Sequence, residues 1–580
     1  MKQFLLVLSM YLICSSIFST NSQAQWSTDP KVNNAICTTA TQQQLPRVVS
    51  DGSGGAIITW WNYDNLITND YNIYAQRIDS AGIVRWDTNG VPICINPLLQ
   101  MNPMITSDGN GGAIIAWQDN RSGRADIYAQ RINASGIVQW AADGIAVCAD
   151  TLDQTSPQLI SDGSGGAIIT WRDLRDGISY IPYAQKLNAD GVAQWTAGGV
   201  LLSRLNGESL QIVSDGNGGA IIAWHQYTGV YPNGNFDIIV QQINTNGVIV
   251  WGNDGVAICS LTSEQFRPQL IRDAGSGTII VWEDQRNGTS YKNLYAQKVD
   301  SGGVAQWAVN GVAIAPNTLS QIEHKLLSDG SGGIFITWQY ASGGLINTIY
   351  AQRMNSSGVS QWASDGVSIG AAGDSKSPEI TTDGGTGAII TWYDYRGWGN
   401  GDIFAQRINS AGAVQWIVNG VGVCRDPSGQ VFPQLVKDGS GGAIITWDDS
   451  RNSATNSTDI YAQRVSASGT LGGTTGVNEN DHSLPTTFAL EQNYPNPFNP
   501  ITTIQFGLPN ASYVTLKIFN ILGQEVASLI NEKREAGQHS VQWNAHGLAS
   551  GVYFYRLYAH STDAKQTNDF VQTKKLLLLR

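Results

Sequence analysis

Residues with the chemistry to cleave a bond are unevenly spread along this 580-residue chain. Histidine is scarce, since only His225 and His324 occur before residue 480. The zinc-binding His-Glu-x-x-His pattern and the phosphate-binding loop are both absent from the sequence. Carboxylates are plentiful, and two of them at a suitable separation can hydrolyse a glycosidic bond. Glycoside cleavage therefore stays open, without a particular catalytic residue to carry it.

Aromatic side chains form a second set of candidates. Exposed rings can stack on sugars or anchor a protein partner, although each of these rings could equally pack against neighbouring loops. Together with His225, a set of aromatics lies where the surrounding sequence departs from a repeat, and these residues are the candidate ligand-binding residues: Trp61, Tyr63, His225, Tyr227, Tyr231, Tyr395 and Trp398.

Charged motifs that recur are interpreted as structural. Asp-x-Arg occurs at Asp119/Arg121, Asp173/Arg175, Asp284/Arg286, Asp394/Arg396 and Asp449/Arg451. Such recurrence indicates an ion pair that fixes a turn rather than a catalytic group. Asp-Gly-x-Gly-Gly turns also recur, but each supplies one carboxylate, whereas calcium takes six to eight oxygen ligands. We therefore expect neither a metal nor a cofactor.

All these residues belong to an internal repeat. The phrase Asp-Gly-x-Gly-Gly-Ala-Ile-Ile-x-Trp, or a close variant, begins at Asp51, Asp108, Asp162, Asp215, Asp273, Asp329, Asp383 and Asp438. Each unit of about 55 residues contains segments rich in β-branched and aromatic residues, bounded by Gly, Asn and Asp. We predict four short strands per unit, a to d, with strand b ending at the repeated Trp and strand d beginning at a Val-Gln-Trp segment.

Four antiparallel strands repeated radially describe an all-β protein, an eight-bladed β-propeller over residues 25–467. A solenoid is the alternative. The eighth unit lacks strand d, and the segment from Trp26 to Cys37 resembles the missing piece. Only a closed ring brings the two ends together, so we predict that the N-terminal strand completes the last blade. A second repeated Trp, in strand d, is interpreted as packing between blades.

The lengths of the loops predict which face of the propeller carries the functional site. The a–b and c–d hairpins keep constant lengths, while the b–c and d–a connections vary. Because successive strands run in opposite directions, both variable connections emerge on one face. Loops on a rigid scaffold commonly carry recognition, so we place the site on that face.

Charge and composition limit the classes of partner and the cellular location that we expect for the chain. The formal charge is −12, which excludes a nucleic-acid footprint. Residues 1–24 resemble a signal peptide, and no later segment reaches membrane-spanning length. Five cysteines follow it (Cys37, Cys94, Cys148, Cys259 and Cys424), in a slot that elsewhere holds Ser203, Ala315 or Gly370. A position that accepts such small residues predicts buried structural thiols.

Two resemblances add to this interpretation. The units resemble the Tol-type periplasmic propeller repeat, through Asp108-Gly109, Trp117 to Arg121 and Asp126 to Tyr128. After a polar linker at 468–487, residues 488–580 resemble the type A C-terminal sorting domain of the type IX secretion system. That resemblance rests on Tyr494, Pro495, Asn496, Pro497, Gly523, Gly551, Lys574 and Lys575. The sequence of this segment also predicts a small Ig-like β-sandwich.

We therefore expect a secreted or cell-surface β-propeller that binds a glycan or a surface protein. The sorting domain implies the type IX machinery as a further partner, and no nucleic acid or transmembrane segment is expected. The alternatives are a carbohydrate-active hydrolase or lyase and a purely structural surface component. The regularity of the repeat favours binding or structure over catalysis, because an active site tends to break such a pattern locally.

Overall fold

A computed structural model of the chain describes residues 26–65, 70–229, 234–273, 275, 277–288, 291–317, 319–341, 347–370, 373–396, 399–453, 458–472, 488–490, 492–493, 496, 498, 500–534, 537–561 and 569–579. All regular elements in these ranges are β-strands, so the predicted all-β class is confirmed. The chain divides into two compact units, Met1–Thr475 and Gly476–Arg580. The predicted signal peptide lies outside the described residues. A search of the described ranges for a helix able to cross a membrane found none.

The first unit begins with β1 (Asn34–Cys37), which is followed by eight groups of strands that form four-stranded antiparallel sheets 1 to 8. Sheets 1 to 4 contain β2 (Gln42–Ser50), β3 (Ala56–Asn65), β4 (Asp70–Ile78), β5 (Val91–Cys94); β6 (Gln100–Ser107), β7 (Ala113–Asp119), β8 (Asp126–Ile132), β9 (Ile145–Cys148); β10 (Gln154–Ser161), β11 (Ala167–Asp173), β12 (Ile181–Leu187), β13 (Val200–Leu201); and β14 (Glu208–Ser214), β15 (Ala220–Thr228), β16 (Asn235–Ile243), β17 (Val256–Cys259).

Sheets 5 to 8 continue the pattern. They contain β18 (Gln265–Arg272), β19 (Thr278–Asp284), β20 (Asn293–Val299), β21 (Val312–Ala313); β22 (Ser320–Ser328), β23 (Ile334–Ala341), β24 (Thr348–Met354), β25 (Val367–Ser368); β26 (Ser375–Thr382), β27 (Ala388–Asp394), β28 (Asp402–Ile408), β29 (Val421–Cys424); and β30 (Gln430–Lys437), β31 (Ala443–Asp449), β32 (Asp459–Val465), with β1 as the fourth strand. The prediction that the N-terminal strand completes the last sheet is confirmed, because β1 pairs antiparallel with β32.

The eight sheets contact one another in a closed cycle. The first strands of successive sheets are in contact from β2 through β6, β10, β14, β18, β22, β26 and β30, and β30 contacts β2. The second repeated Trp of each sheet donates its indole N–H to a backbone carbonyl of the following sheet. The eight acceptors are the carbonyls of Ala134, Ala189, Thr245, Ser301, Ser356, Ser410, Ala467 and, for Trp26 across the chain ends, Ser80. This Trp therefore joins neighbouring sheets, as predicted.

The Asp-Gly-x-Gly-Gly phrase is explained by its turn. In sheet 1 the carboxylate of Asp51 accepts the backbone N–H groups of Ser53 and Gly55, at 2.8 Å each. Gly52 and Gly54 have positive φ, a conformation that glycine adopts without steric cost. A Cβ on Gly55 would lie 2.4 Å from the carbonyl oxygen of Ile78, so the third glycine permits close approach of the next strand. Each position of the motif thus serves the turn.

One strand boundary differs from the prediction. The Val-Gln-Trp segment of sheet 2 forms only an isolated bridge, from Val138 to Ile132, and the fourth strand is the later segment Ile145–Cys148. A tight turn closed by Gly144, which has positive φ, separates the two. The Trp side chain therefore lies at a corner, where it reaches the next sheet, rather than inside the strand.

The second unit contains two sheets. The strands of one are β33 (Ala489–Leu490), β34 (Ile501–Leu508) and β37 (Gly537–Asn544); those of the other are β36 (Glu525–Arg534), β35 (Ser512–Phe519), β38 (Gly551–Ser561) and β39 (Asp569–Leu578). Alternate residues of these strands form one buried cluster that includes Phe506, Leu516, Trp543 and Tyr555. A single hydrophobic core therefore holds the two sheets of this unit.

Candidate functional site: the central cavity

The first strand of every sheet carries the same irregularity. In each, the pairing register with the second strand shifts at a β-bulge. One residue of each bulge is not glycine yet has a φ between 49° and 56°: Leu45, Asn102, Ser156, Ser209, Arg267, Glu323, Ser377 and Phe432. We call these eight residues the mouth ring. A left-handed backbone costs about 1–2 kcal/mol for a residue with a Cβ, so the strain is repeated eight times around the cycle.

The side chains of the mouth ring are accessible to solvent and lie near the variable connections. Six of its eight side chains are exposed and two are half-buried. Each bulge lies opposite the residue that follows the buried Trp of the second strand, as Gln44 lies opposite Trp61. Those following residues form a second set, the wall layer: Trp61, Gln118, Arg172, His225, Glu283, Gln339, Tyr393 and Asp448. Both sets lie toward the strand ends from which the b–c connections leave.

Chemical variety is concentrated in these two sets. The Trp that precedes the wall layer is present and fully buried in all eight sheets. The wall layer itself has seven residue types in eight positions, and the mouth ring has six. The internal repeats therefore diverge in residue type at the bulge and at the residue paired with it, although the preceding Trp is the same in every sheet.

A cavity of about 460 Å³ lies between the eight first strands. Its lining includes at least one residue from every first strand: Leu45, Arg47, Met104, Gln158, Gln211, Arg267, Gln269, Glu323, His324, Lys325, Ser377, Pro378, Glu379, Phe432, Pro433 and Gln434, with Glu283 from a second strand. The charged members balance, since three cations (Arg47, Arg267 and Lys325) face three carboxylates (Glu283, Glu323 and Glu379).

The three carboxylates already have partners in the wall. Glu379 lies 2.6 Å from the Lys325 ammonium and accepts a hydrogen bond from the amide of Gln434 at 3.0 Å. Glu323 accepts from the hydroxyl and the backbone N–H of Ser377. Fully buried Glu283 lies 3.0 Å from Lys292 Nζ and 3.7 Å from Arg267 Nη1.

Three glutamines of the cavity differ from these paired groups. Gln158, Gln211 and Gln269 occupy the same strand position in sheets 3, 4 and 5, and each is half-buried. Within the described residues, their side-chain amides make no hydrogen bond, whereas the amide of Gln434 in sheet 8 donates to Glu379. An amide offers two donors and an acceptor with two lone pairs, so this side of the cavity presents unused hydrogen-bonding groups.

His324 is a neutral part of the wall. Burial lowers the pKa of its imidazole to about 4, and Nε2 lies 3.1 Å from the carbonyl oxygen of Val281. Since a carbonyl can only accept, Nε2 carries the proton. His324 occupies the position that is Pro in six other sheets, as at Pro46 and Pro433. It is therefore a packed residue of the strand.

The predicted candidates lie in three different sheets. Trp61 and Tyr63 of sheet 1 pack against Tyr71, with ring centroids 4.8 Å and 4.5 Å away. Tyr395 of sheet 7 packs edge-on against Tyr393. Each set of contacts stays within one sheet.

His225 and Tyr227 of sheet 4 share Phe236 as a neighbour. The His225 Nε2 lies 3.6 Å from a carboxylate oxygen of Glu208, and its Nδ1 accepts the backbone N–H of Arg267 at 3.4 Å. The hydrogen bond with His225 lowers the pKa of Glu208. His225 thus connects sheets 4 and 5 beside the mouth ring. Tyr231 and Trp398 lie outside the described residues, and a ligand role for these seven residues stays a prediction.

The sequence analysis missed the mouth ring and the free amides. One signal was present, because Pro follows the bulge residue in six of the eight first strands, and Pro inside a strand indicates an edge or a bulge. The mouth ring has six residue types in eight positions, however, so no repeated motif marks it.

The recurrent Asp-x-Arg motif forms the predicted ion pair. Arg121 lies 2.6 Å from Asp119, whose carboxylate also accepts the indole N–H of Trp117 at 2.7 Å. The guanidinium then donates to the sulfur of Cys94 in the preceding sheet. Equivalent ion pairs join Asp173 to Arg175, Asp284 to Arg286, Asp394 to Arg396 and Asp449 to Arg451.

The predicted buried thiols are confirmed. All five cysteines of the described residues are free and buried. Burial raises the pKa of Cys94, Cys148 and Cys259 to about 12. These thiols are therefore protonated and serve packing between sheets.

In the C-terminal unit, Asn496 holds the last strand. Its side chain donates to the carbonyl of Lys575 at 3.3 Å and accepts the N–H of Leu577 at 2.8 Å. Gly523 has positive φ in the turn between β35 and β36, Gly551 begins β38, and Lys574 lies beside Lys575 on β39. Tyr494, Pro495 and Pro497 lie outside the described residues.

A family match covers this C-terminal segment. Residues 492–571 match the family model of the secretion system C-terminal sorting domain, so the resemblance of the tail is confirmed. A type IX sorting domain implies export, to the medium or to the cell surface. The likeness of the repeats to the Tol-type unit stays a prediction.

Known structures resemble parts of the chain at low identity. Polysaccharide lyase Uly1 is 8% identical with a TM-score of 0.41, over 73% of this chain and 100% of that one. An α-L-arabinanase of Penicillium chrysogenum is 13% identical with a TM-score of 0.30, over 55% and 94%. An endo-arabinase of Bacteroides thetaiotaomicron is 17% identical with a TM-score of 0.25, over 48% and 98%. No curated protein matches the chain.

Proposed function

We propose that the first unit is an eight-bladed β-propeller, closed by its N-terminal strand, and that it binds a glycan at the central cavity after export. The cycle of sheet contacts and the pairing of β1 with β32 support the propeller. The sorting domain supports export through the type IX machinery. We further propose that the aromatics Trp61, Tyr63, Tyr227 and Tyr395 form the outer part of the same recognition face.

One observation carries the binding role: three half-buried glutamine amides line the cavity and make no hydrogen bond to the residues that the structure describes. Hydroxyl groups of a sugar are suitable partners, since each can donate and accept. The volume of about 460 Å³ lies in the range of small-ligand sites, whereas a protein partner would bury roughly 800 Å² of each surface. The balanced charge of the lining favours an uncharged ligand over a polyanion. A glycan segment therefore fits better than a protein surface.

The contacts of the carboxylates favour binding over hydrolysis. The three carboxylates of the cavity are already engaged by cations or donors of the wall. A general acid for glycoside cleavage needs a raised pKa. One residue supports hydrolysis as a second candidate, namely Asp448 of the wall layer, because burial raises the pKa of its carboxyl group well above the usual range. Asp448 accepts the backbone N–H of Leu45 at 2.9 Å.

The experiment incubates the full chain with a panel of polysaccharides and assays retention and new reducing ends together. Retention without cleavage supports the proposal. The double variant Gln211→Leu/Gln269→Leu should then weaken binding about tenfold, because two hydrogen bonds are lost at about 0.5–1.5 kcal/mol each. The matched control is Gln194→Leu, on an exposed turn where the amide donates to Val192.

Other outcomes assign other functions. Cleavage that disappears in Asp448→Asn would establish the hydrolase. Neither retention nor cleavage across the panel would contradict glycan binding and leave a protein partner or a structural role.

A further inference from the structure

Phe432 is the most conspicuous member of the mouth ring. It is a bulky aromatic residue with a φ of 53°, a combination that is a clear outlier for such a side chain. Its side chain nevertheless leaves the core, with 44% of its surface exposed, and it lines the central cavity. The same strand position is Ser in sheets 3, 4 and 7, so the fold does not require an aromatic there.

The surroundings of Phe432 form an apolar patch on one side of the cavity, next to the polar side chains of Arg47 and Gln434. Leu45 of the adjoining sheet 1 also lines the cavity, and the ring of Phe432 meets the ring of Tyr393 edge-to-face with centroids 5.9 Å apart. Buried Tyr393 supports the aromatic from within sheet 7. The ring is therefore held from one side while much of it stays accessible.

The opposite side of the cavity is the polar one. In a cycle of eight sheets, sheets 4 and 5 lie across from sheets 8 and 1. Gln211 and Gln269, whose amides have no partner within the described residues, therefore lie across the cavity from Phe432 and Leu45. An apolar platform on one wall and free hydrogen-bonding groups on the other match the two chemistries of a sugar ring, which has a C–H face and a hydroxyl rim.

We propose that Phe432 is the stacking platform of the glycan site and that it selects pyranose units with a continuous C–H face. This inference rests on the proposed glycan-binding function and deepens it. It explains why an aromatic is kept at a strained backbone position, since the strain places the ring at the opening instead of in the core. It also predicts that uncharged chains bind in preference to acidic ones, because the charges of the lining cancel.

The test measures binding of the full chain to xylan, β-glucan and β-galactan, with polygalacturonate as an acidic comparison. Phe432→Ala should weaken binding to the best neutral polysaccharide at least tenfold, while Phe432→Tyr and Phe432→Trp stay within about threefold of the native chain. The matched control is Tyr291→Ala, which removes an aromatic of similar exposure, 46%, elsewhere in the first unit.

A fourth variant tests the origin of the strain. Phe432→Gly removes the ring and also relieves the left-handed backbone, so it should lose binding and yet unfold at a higher temperature than Phe432→Ala. If Phe432→Gly is more stable than Phe432→Ala and still does not bind, the loss of binding follows the missing ring and not the backbone strain.

The outcomes separate the two proposals. If the native chain binds a neutral polysaccharide and Phe432→Ala binds equally well, the platform is wrong and glycan binding stands. If polygalacturonate binds best, the selection for uncharged chains is wrong. If no polysaccharide binds the native chain, glycan binding fails and the platform fails with it.

Discussion

One arginine, Arg451, makes more contacts across the closure of the eight-sheet cycle than its counterparts make between other sheets. Arg451 forms the same ion pair as Arg121, 2.7 Å from Asp449, and its guanidinium carbon lies 3.9 Å from the centroid of a tyrosine ring in both cases. Arg121 adds one bond to a backbone carbonyl, that of Asp143. Arg451 instead reaches the N-terminal segment, where it donates to the carbonyls of Lys31 and Val32 and to the side chain of Asn33.

The two arginines therefore form a matched pair for a mutational test. Replacing either by Met keeps the apolar stem and leaves a fully buried aspartate unpaired, which costs about 3–5 kcal/mol. Arg451→Met loses two more hydrogen bonds than Arg121→Met. At about 1 kcal/mol each, because the acceptors are partly exposed, the difference is about 2 kcal/mol in the free energy of opening the seam.

Hydrogen exchange measures this difference at the seam itself. We expect the amides of Asn34–Cys37 to exchange about 30-fold faster in Arg451→Met than in Arg121→Met, since each 1.4 kcal/mol is tenfold. In Arg121→Met, these amides should change much less, while those around sheet 2 exchange faster. Equal exchange of β1 in the two variants would refute the view that Arg451 holds the N-terminal strand in place.

Three further predictions follow from burial and from the tail. Burial raises the folded-state pKa of Asp448, whereas an unfolded aspartate ionises at about pH 4, so Asp448 lowers the stability of the fold as the pH rises above 4. Asp448→Asn should therefore raise the unfolding midpoint more at pH 7 than at pH 4. An equal gain at both pH values would contradict a buried neutral carboxyl group. The five thiols should resist a maleimide in the native chain at pH 8 and react fully in denaturant, as mass spectrometry can show, because Cys94, Cys148 and Cys259 have pKa values of about 12. Deleting residues 492–571 should retain the first unit inside the cell, with cell fractionation as the assay; unchanged release would contradict the role of the sorting domain.

Much of the scaffold was predictable because its causes are local. A turn such as Asp51 to Gly55 needs its particular residues, so it recurs in recognisable form in every repeat. Trp60 and its seven counterparts recur because each is fully buried in its sheet. The completion of the eighth sheet was also predictable from the sequence, since a separate copy of strand d precedes the first repeat.

The candidate site was only partly predictable because it arises from convergence. Trp61 and His225 were selected as departures from the repeat, and both belong to the wall layer. Gln211 and Phe432 were not selected, because a glutamine in a strand and a phenylalanine before a proline are unremarkable in sequence. Their meaning comes from facing each other across the cavity, and that distance depends on how eight sheets are arranged around a centre.

The pairing of β1 with β32 also imposes an order of assembly. Asn34 and Ala462, which are paired, are about 430 residues apart, so closing that loop costs about 5 kcal/mol of chain entropy, against about 2 kcal/mol for a hairpin of some 15 residues. Hairpins within sheets can therefore form first, and the seam forms last. A chain synthesised from its N-terminus must carry β1 as an unpaired strand until β32 has followed it. During synthesis, β1 is thus the strand that stays unpaired longest and is exposed to aggregation longest, because its partner β32 is the last strand of the first unit to be made.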